Sequence, residues 1–375
     1  MAKDHYTHLG AFSDWTALPG AVRPHSAAPP DPHAVHAALD APPPPDHLDV
    51  TSRAPWYRDG VTGQEVSWWP GFGPRTRAWV LRPAGEHRPL PGVLALHCHS
   101  GMRAWGRHKI ADGPDTTPPE ITALRRTIYE GAALATEIAR QGYTVLVHDA
   151  FGWGSRSFRT ADMPQRVLDY ARAEIAHRRK AGETFTPAQE FDVAARHHEP
   201  VLAKYCGVLG TSLAAMVLRE DRIALDYLTS RADVHADRIA CVGLSGGGCR
   251  AALLHGLDPR VRASVISCMM STFAGLLDRH IDAHTWMLLT PGLSAVCDWP
   301  DVPALRAPAP LLVQYATADR LFSDTGMRDA DALLRRRYAQ AGAPDAYTGA
   351  HHRGDHALSA AMRAQALDWL AHHLH

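Results

Sequence analysis

Three features are missing from this chain of 375 residues, and each absence excludes a class of protein. Charge of one sign is not in excess, since 39 lysines and arginines balance 39 aspartates and glutamates, so no global field attracts nucleic acid or an anionic membrane. No run of about 18 apolar residues is available to span a bilayer. The first residues, MAKDHYTHLGAFSDW, lack a basic segment followed by an apolar one, as a secretory signal requires. We therefore expect a cytoplasmic protein that acts on a small, roughly neutral molecule.

Paired cysteines are missing as well, because no two of them form a CxxC arrangement. Most cysteines lie inside apolar runs, which predicts buried free thiols rather than disulfide bonds. The six residues concerned are Cys98, Cys206, Cys241, Cys249, Cys268 and Cys297.

A change of composition near residue 60 divides the chain. Residues 19–50 are rich in proline, alanine and histidine without a sustained period, so residues 1–60 are predicted to form an extended arm on the surface or on a partner subunit. Such an arm could join copies of the chain into a homo-oligomer. From residue 61 onward, VTGQEVSWW and RTRAWVLRP flank the turn-prone PGFGP and predict a hairpin, with which a domain of residues 61–375 begins.

Apolar runs alternate with helical patterns through most of that domain. Runs that are apolar on both faces are typical of central parallel strands. Here they are GVLALH (92–97), YTVLVHD (143–149), RIACVG (238–243), ASVISCM (263–269) and PLLVQYATAD (310–319). The alternation predicts an α/β fold with a doubly wound, mostly parallel sheet, whose ligand crevice lies at the carboxyl ends of the strands. Residues 155–207 hold two helical segments without a strand between them, and we expect this insertion to cover the crevice as a lid.

The stretch VGLSGGGCR, residues 242–250, places one serine among glycines where an apolar run ends. Its core, Gly243-Leu244-Ser245-Gly246-Gly247, has the pattern G-x-S-x-G between a predicted strand and a predicted helix. That context is typical of a nucleophile elbow, a strained turn whose neighbours must be small. A loose glycine-serine loop is the alternative, but the flanking strand and helix favour Ser245 as a nucleophile.

A nucleophilic serine needs a base to take its proton and an acid to orient that base. In this type of sheet the order along the chain is serine, acid, histidine. Asp319 ends the run PLLVQYATAD, two predicted strands after Ser245, and is the predicted acid. Asp278, after the intervening strand, is the alternative.

The base is expected in the loop before the last helix, where the sequence TGAHHRGDHALS contains three histidines. His356 stands two residues before the apolar face of that helix begins, so we select it as the base. His351 and His352 are the alternatives and are expected to be solvated loop residues.

A tetrahedral intermediate also needs backbone N–H donors for its negative oxygen. One is predicted to be Gly246, directly after the serine. The other is predicted in the corner HCHSG, residues 97–101, after the run GVLALH. Within that corner we select the amide of His99, and a shift of register would move the role to Ser100 or Gly101.

These motifs, in this order, resemble the α/β-hydrolase superfamily, and specifically its dienelactone-hydrolase and acetyl xylan esterase-like branch. The resemblance covers roughly residues 75–375 and rests on ALHCHSG, ARQGYTVLVHDAFGWGSR, GLSGGG, APAPLLVQYATADRLF and DHALSAAMRAQALDWL. It implies hydrolysis of a carboxylic ester through an acyl-enzyme, without a metal or an organic cofactor. Ser245 stands where dienelactone hydrolases place a cysteine, which argues against that particular reaction. A small ester, such as an acetylated sugar or a secondary metabolite, is the expected substrate.

Three other functions are compatible with parts of the sequence. A serine peptidase or amidase shares the elbow and the triad, although too few residues precede the sheet for the additional domain of prolyl oligopeptidases. A metal-dependent hydrolase could use His97 and His99 together with HHRGDH at residues 351–356, but the sequence contains no HExxH or HxHxDH unit. A non-catalytic binding protein would have no need of the serine, acid and histidine, and a chromogenic ester assay distinguishes it.

The choice between the two candidate acids generates the first prediction. Asp319→Asn removes the negative charge but keeps the shape, so we expect it to upset the tautomer of the base and lower kcat by about 10²-fold or more, since the same change in a serine protease costs about 10⁴. Asp278→Asn should change kcat little. Kinetics at saturating substrate, with circular dichroism to establish folding, measure both. The opposite pattern would transfer the role of acid to Asp278.

Overall fold

The computed structural model describes residues 6–17, 28–40 and 42–375, in which the apolar runs of the sequence become strands of one sheet. In these residues the strands are β1 (Val50–Ser52), β2 (Trp56–Arg58), β3 (Val61–Trp68), β4 (Thr76–Pro83), β5 (Leu90–Leu96), β6 (Thr144–His148), β7 (Val234–Leu244), β8 (Val261–Ser267), β9 (Leu311–Ala316) and β10 (Tyr347–His352). The α-helices are α1 (Pro32–Ala38), α2 (Pro119–Ile128), α3 (Leu134–Arg140), α4 (Gln165–Lys180), α5 (Pro187–Val208), α6 (Leu213–Ser230), α7 (Gly246–Leu257), α8 (Asp301–Ala304), α9 (Asp324–Gln340) and α10 (Ala360–Leu374). Short 3₁₀ helices cover Gly10–Ala17, Arg107–Lys109, Gly154–Arg156, Thr160–Asp162, Ala274–Leu276, Ile281–Ala283, Leu293–Ala295 and Pro344–Ala346.

The strand order confirms the predicted doubly wound, mostly parallel sheet. It runs β1-β3-β4-β6-β5-β7-β8-β9-β10, with β2 also paired to β3. The strands from β6 to β10 are parallel to one another, whereas β4 pairs antiparallel with both β3 and β6. The predicted hairpin of β3 and β4 therefore forms the antiparallel end of the sheet. The carboxyl ends of the parallel strands all lie along the same side of the sheet, where the crevice is expected.

Each face of the sheet packs on its own layer of helices, because successive side chains of a strand point to opposite faces. Leu94 and Leu96 of β5 pack with the buried faces of α6, α7 and α9. Val93 and Ala95 of the same strand pack with α3 and α10. This burial on both faces explains why the central strands read as continuous apolar runs. The cysteine prediction is confirmed, since all six thiols are free, five of them buried and Cys297 half-buried.

The structure differs from the sequence-based interpretation at both edges of the sheet. Strands β1 and β2 lie within the arm predicted for residues 1–60 and pair with β3, so the sheet begins before residue 61. Part of that arm, residues 1–5, 18–27 and 41, lies outside the described residues. At the other edge, Tyr347–His352 forms β10 beside β9, where we expected a loop. These edge strands are short or polar, so they lack the apolar pattern by which the central strands are recognised.

The predicted insertion at residues 155–207 contains α4 and α5, which pack on each other around a small core of their own. A capping box at Thr186 and Gln189 defines the start of α5. Within the described residues, no helix by itself is long and apolar enough to cross a membrane; α5 and α6 meet the length and composition criteria only as a pair bent by 86°.

Candidate active site

Ser245 occupies a strained turn between β7 and α7. Its backbone has φ 57° and ψ −125°, a conformation that costs an L-residue of order 1–3 kcal/mol. The amide of Ser245 donates to the carbonyl of Ser267 at 2.9 Å, which ties the turn to the end of β8. A Cβ at Gly243 would overlap the carbonyl of Gly247, and a Cβ at Gly247 would overlap the carbonyl of Leu96. The glycines are thus required by close backbone packing, and the loose-loop alternative is wrong.

Asp319 and His356 form a short hydrogen bond at the same edge of the sheet. The distance from His356 Nδ1 to Asp319 Oδ2 is 2.6 Å, and the aspartate side chain is fully buried. The other carboxylate oxygen of Asp319 accepts the amide of Leu321 at 2.9 Å. Because both oxygens have partners, the carboxylate is fixed in one orientation, with the imidazole held by its Nδ1 side. Asp278, the alternative acid, is exposed and accepts the amide of Thr7 at 2.9 Å, within the N-terminal segment.

The other two candidate histidines have partners outside this pair. His351 stacks on Tyr315, with ring centroids 4.6 Å apart. His352 Nε2 lies 3.0 Å from Gln365 Oε1 of α10. Both residues belong to β10, so they are strand residues rather than the solvated loop residues that we expected.

The corner after β5 turns sharply through two residues of positive φ, Ser100 at 50° and Gly101 at 66°. The amide of Gly101 donates to His99 Nδ1 at 3.0 Å, so it already has an acceptor. An ideal Cβ at Gly246 would lie 2.7 Å from the backbone nitrogen of His99, which shows how closely this amide approaches the start of α7. Ser245, Gly246, His99 and His356 all line one cleft of about 600 Å³.

A buried carboxylate of the insertion, Glu199, was missed by sequence reasoning. Its Oε2 lies 2.8 Å from Arg103 and 3.1 Å from His99 Nε2. Its Oε1 accepts the hydroxyl of Thr285 and, at 3.1 Å, the amide of Trp286. Although burial opposes ionisation, the charge of Arg103 and the hydrogen bond from His99 hold the pKa of Glu199 well below its usual range.

The protonation of His99 follows from its neighbours. Its Nδ1 accepts the amide of Gly101, so the ring proton is on Nε2 and is donated to Glu199. Burial and the charge of Arg103 lower the pKa of His99, which favours the neutral ring. The side chain of His99 thus carries no charge into the cleft and joins the corner to helix α5.

A second carboxylate anchors the same helix. Asp192 Oδ1 accepts the amide of Ala104 at 2.8 Å, and burial raises the pKa of Asp192 to about 6. Helix α5 is therefore bound to the segment after β5 at two points seven residues apart, on one face of the helix. No sequence motif predicts the role of Asp192 or Glu199, because an isolated acidic residue in a polar helix ordinarily belongs to its solvent-exposed face.

The cleft wall combines charged groups with a few apolar ones. Arg196 and Glu199 come from α5, Asp282 and His284 from the segment after β8, and Trp286 is 40% exposed there. The apolar lining consists of Leu124, Ile128, Pro200, Met269, Ala283 and Leu321.

The chain contains 24 histidines, several of them near the cleft, and these are potential metal ligands. In the described part of the chain, one group of three ligand atoms converges within 4.8 Å, and its members are Cys268, Asp319 and His356. His97 and His99 are not part of it. His97 is buried, with Nδ1 3.1 Å from the carbonyl of Cys98 and Nε2 accepting the amide of Ala150 at 3.3 Å. Among the described residues, no such group combines His97 or His99 with a residue of 351–356, although His99 and His356 line the same cleft.

Comparison with known proteins identifies the fold. No protein-family model matches the chain. It is 26% identical over 296 residues to a Bacillus subtilis (strain 168) protein named "Putative hydrolase YtaP", a match that covers 78% of this chain and 82% of that protein. Among solved structures, it resembles a glucuronoyl esterase from Solibacter usitatus, with TM-score 0.62 and 14% identity over 91% of both chains. It also resembles acetyl xylan esterase 1 from a Thermoanaerobacterium species, with TM-score 0.53 and 13% identity over 93% of this chain and 95% of that one. The chain has the α/β-hydrolase fold.

The contacts of Glu199 generate the second prediction. Glu199→Gln leaves the buried Arg103 without its counter-charge, so we expect the free energy of unfolding to fall by about 3 kcal/mol. We expect kcat/KM to fall by about 10-fold or more, because the contact between His99 and α5 loses its charged acceptor and the corner is held less precisely. Chemical denaturation and ester kinetics measure the two effects.

Glu190→Gln is the matched control, since Glu190 is on the same helix and pairs with Arg179 at the exposed surface. An exposed ion pair contributes only about 0–1 kcal/mol, so this variant should behave like the unaltered protein. Equal effects of the two substitutions would contradict the role given to Glu199.

Proposed function

We propose that the protein is a serine-dependent carboxylic ester hydrolase that works through an acyl-enzyme, with Ser245 as nucleophile, His356 as base and Asp319 as acid. The observation that carries the proposal is the 2.6 Å pair between Asp319 and His356, which shares one cleft with a serine in a strained, glycine-flanked turn. Strain, a buried carboxylate and an oriented imidazole at one sheet edge are what nucleophilic catalysis needs.

The reaction follows from these groups. Asp319 holds the Nδ1 proton of His356, which leaves Nε2 free to take the proton of Ser245 as its Oγ bonds to the ester carbonyl carbon. The carbonyl oxygen becomes negative and accepts hydrogen bonds from the backbone amides of Gly246 and His99. The intermediate collapses, His356 returns its proton to the departing alcohol, and the acyl group remains on Ser245. Water then adds to the acyl carbon as His356 takes its proton. The second tetrahedral intermediate collapses, the bond from the acyl carbon to Ser245 Oγ breaks, and His356 returns the proton to Oγ as the carboxylic acid leaves.

The position of the amides supports this pair of donors. Gly246 is the first residue of α7, where backbone N–H groups have no acceptor within the helix and where the dipole favours negative charge. The amide of His99 lies beside it, while that of Gly101 is occupied by His99 Nδ1. A peptide substrate would use the same chemistry, so a peptidase or amidase stays the alternative. A metal-dependent hydrolase is disfavoured because, in the described residues, no converging group of three ligand atoms draws on both of its proposed histidine sets.

The substrate is proposed to be a small ester with a short acyl group on a polar alcohol. The names of two structural relatives refer to an acetyl ester of xylan and to a glucuronoyl ester, both of which are carbohydrate esters. In this chain Trp286 offers an indole face in the cleft, and Arg196 and Asp282 offer polar contacts for hydroxyl groups. A cytoplasmic location and the joining of copies through the N-terminal arm stay predictions.

Loss of the serine hydroxyl tests the function directly. Ser245→Ala should lower kcat by about 10⁴- to 10⁶-fold while the fold is kept. A fluorophosphonate should label Ser245 in the unaltered protein and nothing in the variant, as detected by intact mass and peptide mapping. Normal turnover by the alanine variant would end the serine hydrolase proposal, and activity that disappears with a chelator would favour the metal-dependent alternative.

The cleft lining predicts the acyl preference. A long alkyl chain would cover charged groups such as Glu199, Asp282 and Arg196 without offering them hydrogen bonds, which is unfavourable. We therefore expect kcat/KM for an acetyl ester to exceed that for an octanoyl or longer ester of the same alcohol by at least about 10-fold. A panel of p-nitrophenyl esters measures this, and faster turnover of the long-chain members would contradict the role of the insertion.

A further inference from the structure

Lys109 is fully buried, yet its hydrogen-bond acceptors are backbone carbonyls rather than a carboxylate. The ammonium Nζ donates to the carbonyl of Cys98 at 2.8 Å and to the carbonyl of His99 at 2.9 Å. Burying a lysine charge is costly, and such a residue is rare without a specific reason. The two acceptors are successive carbonyls of the corner that follows β5.

The geometry of a trans peptide links these contacts to the active site. In each peptide unit the C=O and the N–H point in opposite directions. With the Cys98 carbonyl directed to Lys109, the amide of His99 points away from the lysine. Its nitrogen lies where the start of α7 comes closest, 2.7 Å from an ideal Cβ on Gly246. The ammonium therefore helps to direct the amide that we assign as the second oxyanion donor, together with His97, whose Nδ1 lies 3.1 Å from the same Cys98 carbonyl.

We propose that Lys109 is a positioning residue of the oxyanion hole, which orients the His99 amide toward the reacting carbonyl oxygen. The inference rests on the proposed esterase function. Its second effect is electronic, because a carbonyl that accepts from a cation polarises the N–H of its own peptide and strengthens that N–H as a donor. Lys109 touches neither substrate nor reacting atoms, so its action passes entirely through the backbone of the corner.

A purely structural role predicts a different behaviour. If Lys109 only filled space, an apolar side chain of similar length would be tolerated, since replacing buried charges by apolar groups is often neutral or stabilising. Loss of catalysis without loss of stability would then be unexpected. The positioning role predicts that combination, with the defect confined to states in which the carbonyl oxygen carries negative charge.

The pH dependence offers a further test. Burial lowers the pKa of Lys109 to about 8, so deprotonation removes its charge as the pH rises through that value. We expect kcat/KM to fall in the same range. The titratable groups around Nζ are the cations Arg103 and Arg250, the carboxylate Asp192, the thiol of Cys98, and the neutral rings of His97 and His99.

The experiment compares Lys109→Met with Lys109→Arg, using Lys180→Met at the exposed end of α4 as the control. For each protein, kcat and KM with an acetyl ester are measured together with the inhibition constant of a trifluoromethyl ketone. Ser245 Oγ bonds to the carbonyl carbon of this probe as its proton passes to His356. The probe's oxygen then carries a negative charge and accepts hydrogen bonds from the amides of Gly246 and His99, as in the proposed intermediate. Thermal unfolding monitors the fold.

We expect Lys109→Met to lower kcat/KM by about 10- to 100-fold, less than the about 10²- to 10³-fold cost of losing a whole oxyanion donor. KM should change little, and binding of the ketone should weaken by the same factor as kcat/KM. Lys109→Arg should recover most of the loss and keep its activity between about pH 7 and 9.5, because a guanidinium stays charged there. Lys180→Met should match the unaltered protein.

Several results would overturn the inference. One is a Lys109→Met variant with unaltered kcat/KM, and another is a loss of kcat/KM with unchanged affinity for the ketone. If Lys109→Met does not fold, the pH profile of the unaltered protein decides, and constant kcat/KM up to about pH 9.5 would contradict the role. An unaltered protein that hydrolyses no ester and resists fluorophosphonate would instead refute the esterase function, and the inference with it.

Discussion

The rest of the site depends on how closely the start of α7 approaches the end of β5. Gly247 lies against the carbonyl of Leu96 with no space for a side chain, and Gly246 lies against the backbone of His99. A larger residue at either position would push the helix away from the strand. Because of this contact, Ser245, Gly246 and His99 line the same cleft. The distance between the proposed nucleophile and the proposed oxyanion donors is therefore determined by close backbone packing.

Buried charged side chains also hold the start of α7 against the end of β5. Arg250 of α7 pairs with Asp221 of α6 at 2.6 Å, and that carboxylate also lies 2.9 Å from His148 of β6. The other end of the Arg250 guanidinium donates to the carbonyl of His97, the residue after β5. Ion pairs of this kind contribute little net stability, because desolvation offsets their attraction. These contacts matter more for geometry than for stability. One guanidinium contacts Asp221 of α6, His148 of β6 and the carbonyl of His97, so it links α7 to each of these elements in a defined relative position.

Most of the fold and the candidate residues could be predicted from sequence because they depend on local patterns. The central strands are apolar on both faces, and Ser245 lies in a five-residue motif whose glycines report close packing directly. Asp319 and His356 follow from chain order, although only the structure shows that they are 2.6 Å apart. Lys109, Glu199 and β10 could not be predicted. Lys109 donates hydrogen bonds to carbonyls ten and eleven residues before it in the sequence. The partners of Glu199 are equally remote, since His99 lies 100 residues before it and Thr285 lies 86 residues after it. Strand β10 is an edge strand without an apolar pattern.

The residues that sequence predicts and those that it misses have different proposed roles in the site. Ser245, Asp319 and His356 lie on turns and loops at the carboxyl ends of the strands, and Gly246 is the first residue of α7. Their positions follow from the fold that this chain shares with distant esterases. Glu199 belongs to an insertion, and it contacts both the oxyanion corner through His99 and the cleft wall through Thr285 and Trp286. In the proposed mechanism, a change in α5 that moves Glu199 would therefore alter both the cleft wall and the corner that holds the His99 amide. Through this one carboxylate, the insertion would couple selection of the substrate to stabilisation of the intermediate, a task beyond the covering role that we predict for it.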